Sequence, residues 1–466
     1  MGNDEELPVD GFDSVLDAIG DTPLIRLARI APAAGAPVYV KSEFLNPGGS
    51  VKDRAALSMV LDAERSGALR PGGHIVEGTS GNTGIGLAMV AAQRGYGLTV
   101  VVPDKSSREK VTILKAYGAD IVITTGAVPR QDPAHVSQVA RRIAEETGGW
   151  LANQYDNPAN PDAHRTGTGP EIWAQTRGRI THFVAGIGTG GTISGTGEFL
   201  KRVSDGRVQV IGADPENSVY SGGDGSPYFV ESIGHYLHPD TTEDIWPESY
   251  HRDVADRIEP IGDRESILTT RRLAREEGLL LGASAGTAIA AALRLAATLG
   301  PDDLVVVLAP DSGRSYLSKY FDDDWLRRSG FLEEPTDQVT VADVLGTAAG
   351  PLRWLPTTAT VGEALKLAPA GDGGLWPIVV PRPGAAGPPS VAEVVGALDV
   401  EALRGLAKSG SALPTAPLSD HLGKTLPAVG IGESAQAALT RIGVDHEAAW
   451  VLTDGRVTGV VHKGRL

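Results

Sequence analysis

From about Val38 to Leu308 the chain alternates short β-branched runs with amphipathic, alanine-rich stretches. That alternation is the βαβ rhythm of a mostly parallel sheet covered by helices on both faces. Strands are predicted at Val38–Lys41, His74–Glu77, Leu98–Val102, Asp120–Ile123, His182–Ala185, Val208–Ala213 and Leu304–Leu308, most of them ending at a glycine-rich or polar loop. Ligands of open α/β sheets lie beyond the carboxyl ends of the strands, so those loops are where chemistry is sought.

The pattern changes after Phe331, where Glu333-Glu334-Pro335-Thr336-Asp337 reads as a linker. A weak repeat follows. Val341-Ala342-Asp343-Val344-Leu345 resembles Leu418-Ser419-Asp420-His421-Leu422, 77 positions on, and Gly396-Ala397-Leu398 resembles Gly459-Val460-Val461, 63 positions on. The shorter second offset fits an extra loop in the first copy, and Pro381 to Ser390 supplies one. Two β-α-β-β-α-like units over residues 337–466 are predicted. The implied organisation is a catalytic region 1–330, a linker 331–337 and a small α+β tandem-repeat domain 338–466.

Composition narrows the function. Lys plus Arg 42 against Asp plus Glu 58 leaves a net charge of −16, a field that repels phosphate backbones and anionic lipid. Neither nucleic acid nor membrane is expected as a partner. The absence of cysteine removes disulfides, zinc fingers, iron–sulfur clusters, thiolate haem and a cysteine nucleophile together; no metal site is expected. The acidic opening, Met1 to Ser14, lacks the basic and apolar parts of a signal peptide, and no apolar run suits a spanning helix. A cytoplasmic location is the expectation.

The sharpest local anomaly is Pro47-Gly48-Gly49-Ser50-Val51-Lys52-Asp53-Arg54 ahead of the helical stretch Ala55 to Ala68. Ser50 and Asp53 have capping-box spacing, which puts Lys52 in the first helical turn. The macrodipole disfavours a cation there. An exposed lysine tolerated beside Asp53 is one reading; the other is an amine whose lowered pKa suits Schiff-base chemistry.

Three glycine loops follow strands. Gly186-Ile187-Gly188-Thr189-Gly190-Gly191-Thr192 contains GxGxxG, with Asp214 closing the next strand as a dinucleotide fingerprint requires; the same backbone equally cradles a single phosphate. Gly282-Ala283-Ser284-Ala285-Gly286 matches GxSxG, but no histidine follows before Phe331, so close helix–sheet packing explains it better than a hydrolase elbow. Glu77-Gly78-Thr79-Ser80-Gly81-Asn82-Thr83-Gly84 places hydroxyls, an amide and free backbone donors at a helix start, which suits a carboxylate or phenolate.

Together, Lys52 and these loops resemble the β-family (fold type II) pyridoxal-phosphate enzymes. The run from Asn153-Gln154-Tyr155-Asp156-Asn157 through His164 and Gly169-Pro170-Glu171-Ile172-Trp173 is similar to the cysteine synthase and cystathionine β-synthase branch. So are Gly212-Ala213-Asp214-Pro215-Glu216 with Ser221-Gly222-Gly223, and Pro310-Asp311-Ser312-Gly313-Arg314. The resemblance spans about residues 12 to 330 in consistent order and implies a two-lobed α/β fold of open, mostly parallel sheets.

It further implies that Lys52 holds the cofactor aldehyde covalently and then acts as base at the substrate Cα. Asn82 would meet the pyridine 3′-oxygen, Gly188, Thr189, Gly190, Gly191 and Thr192 the phosphate, and Ser312 the pyridine nitrogen, where a neutral hydroxyl suits elimination to an aminoacrylate. Thr79, Ser80, Thr83 and Gln154 would bind the substrate carboxylate. The tail resembles paired Bateman-type regulatory repeats, which favours joining L-serine or its acetylated form to L-homocysteine over cysteine synthesis from O-acetylserine and sulfide. The expected partners are small amino-acid substrates and further copies of the chain, in a homodimer or larger homo-oligomer. Departures remain: the ribose-binding positions of the repeats hold Asp399 and Ala402 in one copy, His462 and Arg465 in the other, and Glu231-Ser232-Ile233-Gly234 is followed by an apparent insertion, His235 to Thr242.

Overall fold

The structure, a computed structural model, describes residues 11–79, 81–104, 106–125, 128–241, 243–333, 338–346, 352–368, 374–382 and 387–466. Four residues of the expected linker, 334–337, lie outside these. The chain forms two compact units: residues 1–222 with 230–317, and residues 223–229 with 318–466.

The first unit is α/β. Its strands are β1 (Leu24–Arg26), β2 (Val38–Ser42), β3 (His74–Gly78), β4 (Gly97–Pro103), β5 (Asp120–Thr124), β6 (Trp150–Leu151), β7 (His182–Gly186), β8 (Gln209–Pro215), β9 (Arg257–Ile261) and β10 (Val305–Ala309). They form a six-stranded sheet in the order β1-β2-β10-β7-β8-β9 and a four-stranded sheet in the order β5-β4-β3-β6. Every pairing is parallel except β1 with β2. The helices are α1 (Lys52–Ser66), α2 (Asn82–Arg94), α3 (Arg108–Ala116), α4 (Val136–Thr147), α5 (Ala159–Ala163), α6 (Gly169–Gln175), α7 (Gly191–Val203), α8 (Asp263–Arg272) and α9 (Ala283–Ala296).

The seven strands expected from the hydrophobic pattern all form, within a residue or two at each end. Three more were not legible: β1 and β6 are too short to show a period, and β9, Arg-Ile-Glu-Pro-Ile, carries a proline tolerated because the strand is the sheet's edge. Helices cover both faces of each sheet. One apolar cluster packs α9 on the six-stranded sheet and another packs α7 on its far side; α1 and α2 cover one face of the smaller sheet and α4 the other.

The start of α1 is tied down by charge. Arg54 donates to Glu43 at 2.7 and 2.9 Å and to Glu171 at 2.6 and 2.7 Å. Lys41, fully buried, donates to Glu171 at 2.6 Å and to the Thr22 carbonyl at 2.5 Å. Burial alone would raise the Glu171 pKa, but the Arg54 and Lys41 hydrogen bonds outweigh it and hold the carboxylate at about 2. Two cations and two anions thus cancel inside the core and join β2, α1 and α6.

The second unit is α+β. After α10 (Asp323–Arg328) and α11 (Val341–Leu345) come β11 (Leu355–Pro356), α12 (Val361–Leu367), β12 (Leu375–Val379), β13 (Val394–Asp399) and α13 (Val400–Lys408), then β14 (Ala428–Gly430), α14 (Ala435–Ile442), β15 (Ala448–Thr453) and β16 (Arg456–His462). The sheets β11-β12-β13 and β14-β15-β16 share order and direction, parallel then antiparallel. Gly396 pairs with Ile378 and Gly459 with Val451, each beside a register shift. The entry elements are exchanged. Val341 of α11 packs with the second half, and Leu418, on the turn before the second half, packs with the first.

Removing one partner from a buried ionic group strands the others. Arg54→Ala is therefore expected to destabilise the first unit by about 3–5 kcal/mol, measured as a fall in the urea midpoint without a change in slope.

Candidate active site

Strands β2, β10 and β7 are neighbours, so the loops at their carboxyl ends converge although they lie far apart in the chain. The loop after β2 carries Lys52, the loop after β10 carries Asp311 and Ser312, and the loop after β7 is the glycine turn 186–190. The backbone knits the first two together: Val51 N donates to Pro310 O at 2.8 Å and Ser312 N to Gly49 O at 3.3 Å.

Helix α1 begins at Lys52. Val51, not Ser50, stands at the N-cap; Ser50 Oγ accepts the Lys52 amide at 3.2 Å and the Asp53 carboxylate turns to the Gly48 amide at 2.6 Å, so the expected capping box does not form. Lys52 is half-buried, and among the described residues its ammonium meets no hydrogen-bond acceptor or carboxylate. Burial pulls its pKa down to about 8, opposed by the Asp311 carboxylate. Burial also lifts Asp53 to about 7. An anion one position away is thereby weakened as a partner that would keep the amine charged.

The glycine turn is packed closely against the side chains of Ile233, Tyr250 and Asn160 and the Ser232 carbonyl. Gly190 has φ +85°, and a Cβ there would fall 2.4 Å from the Tyr250 Cα; at Gly191 it would fall 2.2 Å from Asn160 Oδ1. Side chains at either position would collide with these residues beside the α7 N-terminus, where backbone N–H groups point out of the helix. Asn160 Nδ2 donates to Thr189 Oγ1 at 3.1 Å, and Thr192 Oγ1 lies 3.3 Å from His164 Nε2. His164 is driven well below its usual pKa by burial and then by the charges of Lys52 and Arg54, so it is a neutral ring here. Asp214 is not poised for a ribose. Its Oδ2 accepts the Ser221 amide at 3.0 Å, and burial raises it to about 7.

The smaller sheet supplies the opposite wall. Asn82 opens α2, and its Nδ2 donates to Asp311 Oδ2 at 2.7 Å. Thr79 Oγ1 accepts the Gly81 amide at 3.3 Å, and Thr83 Oγ1 donates to Gln154 Oε1 at 2.5 Å. Ser80 lies outside the described residues. Gln154 is held by Glu77, which accepts the amides of Asn153 and Gln154 at 2.8 and 3.4 Å; burial raises its pKa to about 8. Ser312 caps the turn that follows it, its Oγ accepting the Arg314 amide at 3.3 Å. Ser284 Oγ is buried without a partner, so no histidine activates it, and Gly286 lets α9 reach α8, where a Cβ would be 2.1 Å from Ser266 O.

Several residues here had no role in the sequence reading. Lys110 of α3 is buried, donates to Glu231 at 2.9 Å and lies 4.4 Å from the centre of the Tyr316 ring. Tyr316 donates to Asp311 Oδ2 at 2.5 Å. Their short-range pattern, a Glu-Lys pair on an amphipathic helix and an aromatic after a strand, is that of any solvated helix or core ring.

A family model described as pyridoxal-phosphate dependent enzyme matches residues 15–311. This chain belongs to that family. It is 44% identical over 327 residues to a cystathionine beta-synthase of Apis mellifera, across 68% of this chain and 63% of that one, so it spans just under two thirds of the bee protein. It is 47% identical over 308 residues to a probable cysteine synthase of Bacillus subtilis, across 65% of this chain and 95% of the relative. A crystal structure of O-ureido-L-serine synthase superposes with TM-score 0.62 at 40% identity, covering 70% of this chain and 98% of that one. As a member of the pyridoxal-phosphate dependent enzymes, the chain has pyridoxal phosphate as its cofactor. The residues fit that group: a lysine without a competing acceptor, a glycine cradle at a helix N-terminus, and a buried, unpartnered Asp311 Oδ1 beside Asn82. Among the described residues no helix is long and apolar enough to cross a membrane.

With its pKa at about 8, far below 10.5, the Lys52 amine is increasingly neutral as pH rises through 8. Cofactor uptake by the apoprotein is expected to accelerate over pH 7–9 and level off above about pH 9. Stopped-flow absorbance against pH measures the midpoint; acceleration continuing to a midpoint above pH 10 contradicts the assignment.

Proposed function

We propose that this chain catalyses a β-replacement that joins L-serine, or an O-activated serine, to L-homocysteine and releases L-cystathionine. The observation that carries the reading is Lys52, a lowered-pKa amine without a carboxylate partner at the meeting of three strand-end loops. Bound pyridoxal phosphate supplies the electron sink that acidifies the substrate Cα and labilises its β-substituent.

The chain's own residues do the rest. Lys52 holds the cofactor and then, released, takes the Cα proton. Gly188, Thr189, Gly190, Gly191 and Thr192 bind the phosphate, Asn82 faces the 3′-oxygen, and Ser312 the ring nitrogen. The substrate carboxylate is taken by Thr79, Ser80, Thr83 and Gln154, the last two already joined by a hydrogen bond. Orienting the carboxylate fixes which Cα bond faces Lys52.

The second unit supports the cystathionine reading over a synthase built of the catalytic region alone. Its two halves, β-α-β-β-α in the first and β-α-β-β without the closing helix in the second, are read as degenerate Bateman-type repeats on residues 338–466. Asp399 Oδ1 accepts the Glu401 and Ala402 amides at 3.0 and 2.9 Å, so its carboxylate caps α13. That use of the helix start favours a role in assembly over adenosyl-ligand binding. A cytoplasmic homodimer or larger homo-oligomer fits this reading. Cysteine synthesis from O-acetyl-L-serine and sulfide is the second reading, favoured by the Bacillus relative, of which this chain covers 95%.

Lys52→Ala is expected to abolish turnover, by at least about 10³-fold, together with the visible absorbance of the bound cofactor; normal catalysis by that variant refutes the proposal. Supplying L-serine and O-acetyl-L-serine each with L-homocysteine and sulfide, and identifying products by mass, separates the two readings. Cystathionine as the preferred product is the expected outcome, and cysteine as the preferred product overturns it.

A further inference from the structure

We infer that Asp311 is a positioning residue for Asn82, and that Tyr316 holds Asp311 to that task. The inference rests on the reading in which Asn82 faces the cofactor's 3′-oxygen.

Asp311 has little freedom. The preceding carbonyl, Pro310 O, takes the Val51 amide at 2.8 Å, its own carbonyl takes the Gly282 amide at 3.2 Å, and Ser312 N donates to Gly49 at 3.3 Å. Its Cα is thereby clamped between the Lys52 loop and the start of α9. From there Oδ2 receives two hydrogen bonds, from Asn82 Nδ2 at 2.7 Å and from the Tyr316 hydroxyl at 2.5 Å. The carboxyl is 2% exposed, and a Cβ on Gly282 would meet Oδ1 at 2.1 Å. Tyr316 is itself buried beneath the Lys110 ammonium, with its hydroxyl 3.3 Å from Ser232 Oγ.

The consequence lies in the chemistry of the amide. An Asn side chain offers a donor end and an acceptor end of nearly equal shape, and only the donor end attracts an anionic phenolate oxygen. Burial raises the Asp311 pKa, yet Oδ2 already accepts two donors, so it presents an acceptor to Asn82 and selects the nitrogen end. Nδ2 carries two hydrogens. Asp311 takes one, which leaves the other to the cofactor and prevents the carbonyl from rotating into its place. Asn82 stands at the first position of α2 behind Gly81, and among the described residues no other side chain bonds its amide.

Cofactor dissociation constants, read by tryptophan fluorescence, test this as a cycle. Asp311→Ala and Asn82→Ala should each weaken binding about tenfold, the worth of one such hydrogen bond. The double variant should be no weaker than Asn82→Ala alone. Asp311→Asn, whose amide oxygen also accepts, should stay within about twofold of the parent. Losses that multiply in the double variant, or an Asp311→Asn as weak as Asp311→Ala, overturn the inference. If Asp311→Ala does not fold, Tyr316→Phe replaces it in the cycle with the same expectations. Borohydride labelling of every variant keeps the two questions apart. A label at Lys52 means the cofactor reading stands while the cycle decides; no label at Lys52 in the parent chain removes that reading and this inference with it.

Discussion

A cationic side chain buried without an anion is expensive, and the first unit is organised around lowering the proton affinity of one such amine. Lys52 sits two positions from Arg54 and ten residues after β2, which carries Lys41, so charge is abundant nearby. Glu43 and Glu171 absorb both of those cations through direct hydrogen bonds, leaving no acid for Lys52. Asp53 faces the Gly48 amide, and its raised pKa weakens it further as a counter-ion. Asp311 Oδ2 is taken up by Asn82 and Tyr316, and its carboxylate acts on Lys52 only without a hydrogen bond. An amine so isolated offers an aldehyde a larger neutral fraction near pH 7 than an ordinary lysine does.

The topology makes this isolation possible. The chain lays down β1 and β2, leaves to build the four-stranded sheet, and returns through β7 to complete the first. Lys52 lies at the point of departure, Asn82 and Gln154 belong to the excursion, and the glycine turn and Asp311 to the return. Groups proposed to hold the two ends of one small molecule therefore come from sheets formed at different stages of the path, with Glu77 and Asn160 fixing their loops.

Much of the fold was legible in the sequence, because strands buried on both faces give uninterrupted β-branched runs and the tight turns ahead of helices need glycine. Lys52 was legible as a cation in the wrong half of a helix dipole. What was not legible depends on partners distant in the chain. Arg54 and Glu171 are 117 positions apart, and Lys110 pairs with Glu231 across 121; no local period encodes either. The predicted capping box failed for a related reason. Asp53 had two amides within reach, and the tight Gly48–Gly49 loop offered the better one. Position β9 escaped notice since its charges and proline describe a sheet edge, which local reading takes for a loop.

The exchanged entry elements of the second unit bear on how that unit is made. Helix α11 emerges from the ribosome first, yet its seat, formed with Val429, Ala438 and Val461, is translated 88 to 120 residues after Val341. Until then Val341 is an apolar side chain without a home, and the first half lacks the plug that Leu418 provides. Neither half can be finished before the other, so the duplicated segment matures as one cooperative body. A nick between the halves would leave each with its neighbour's cork.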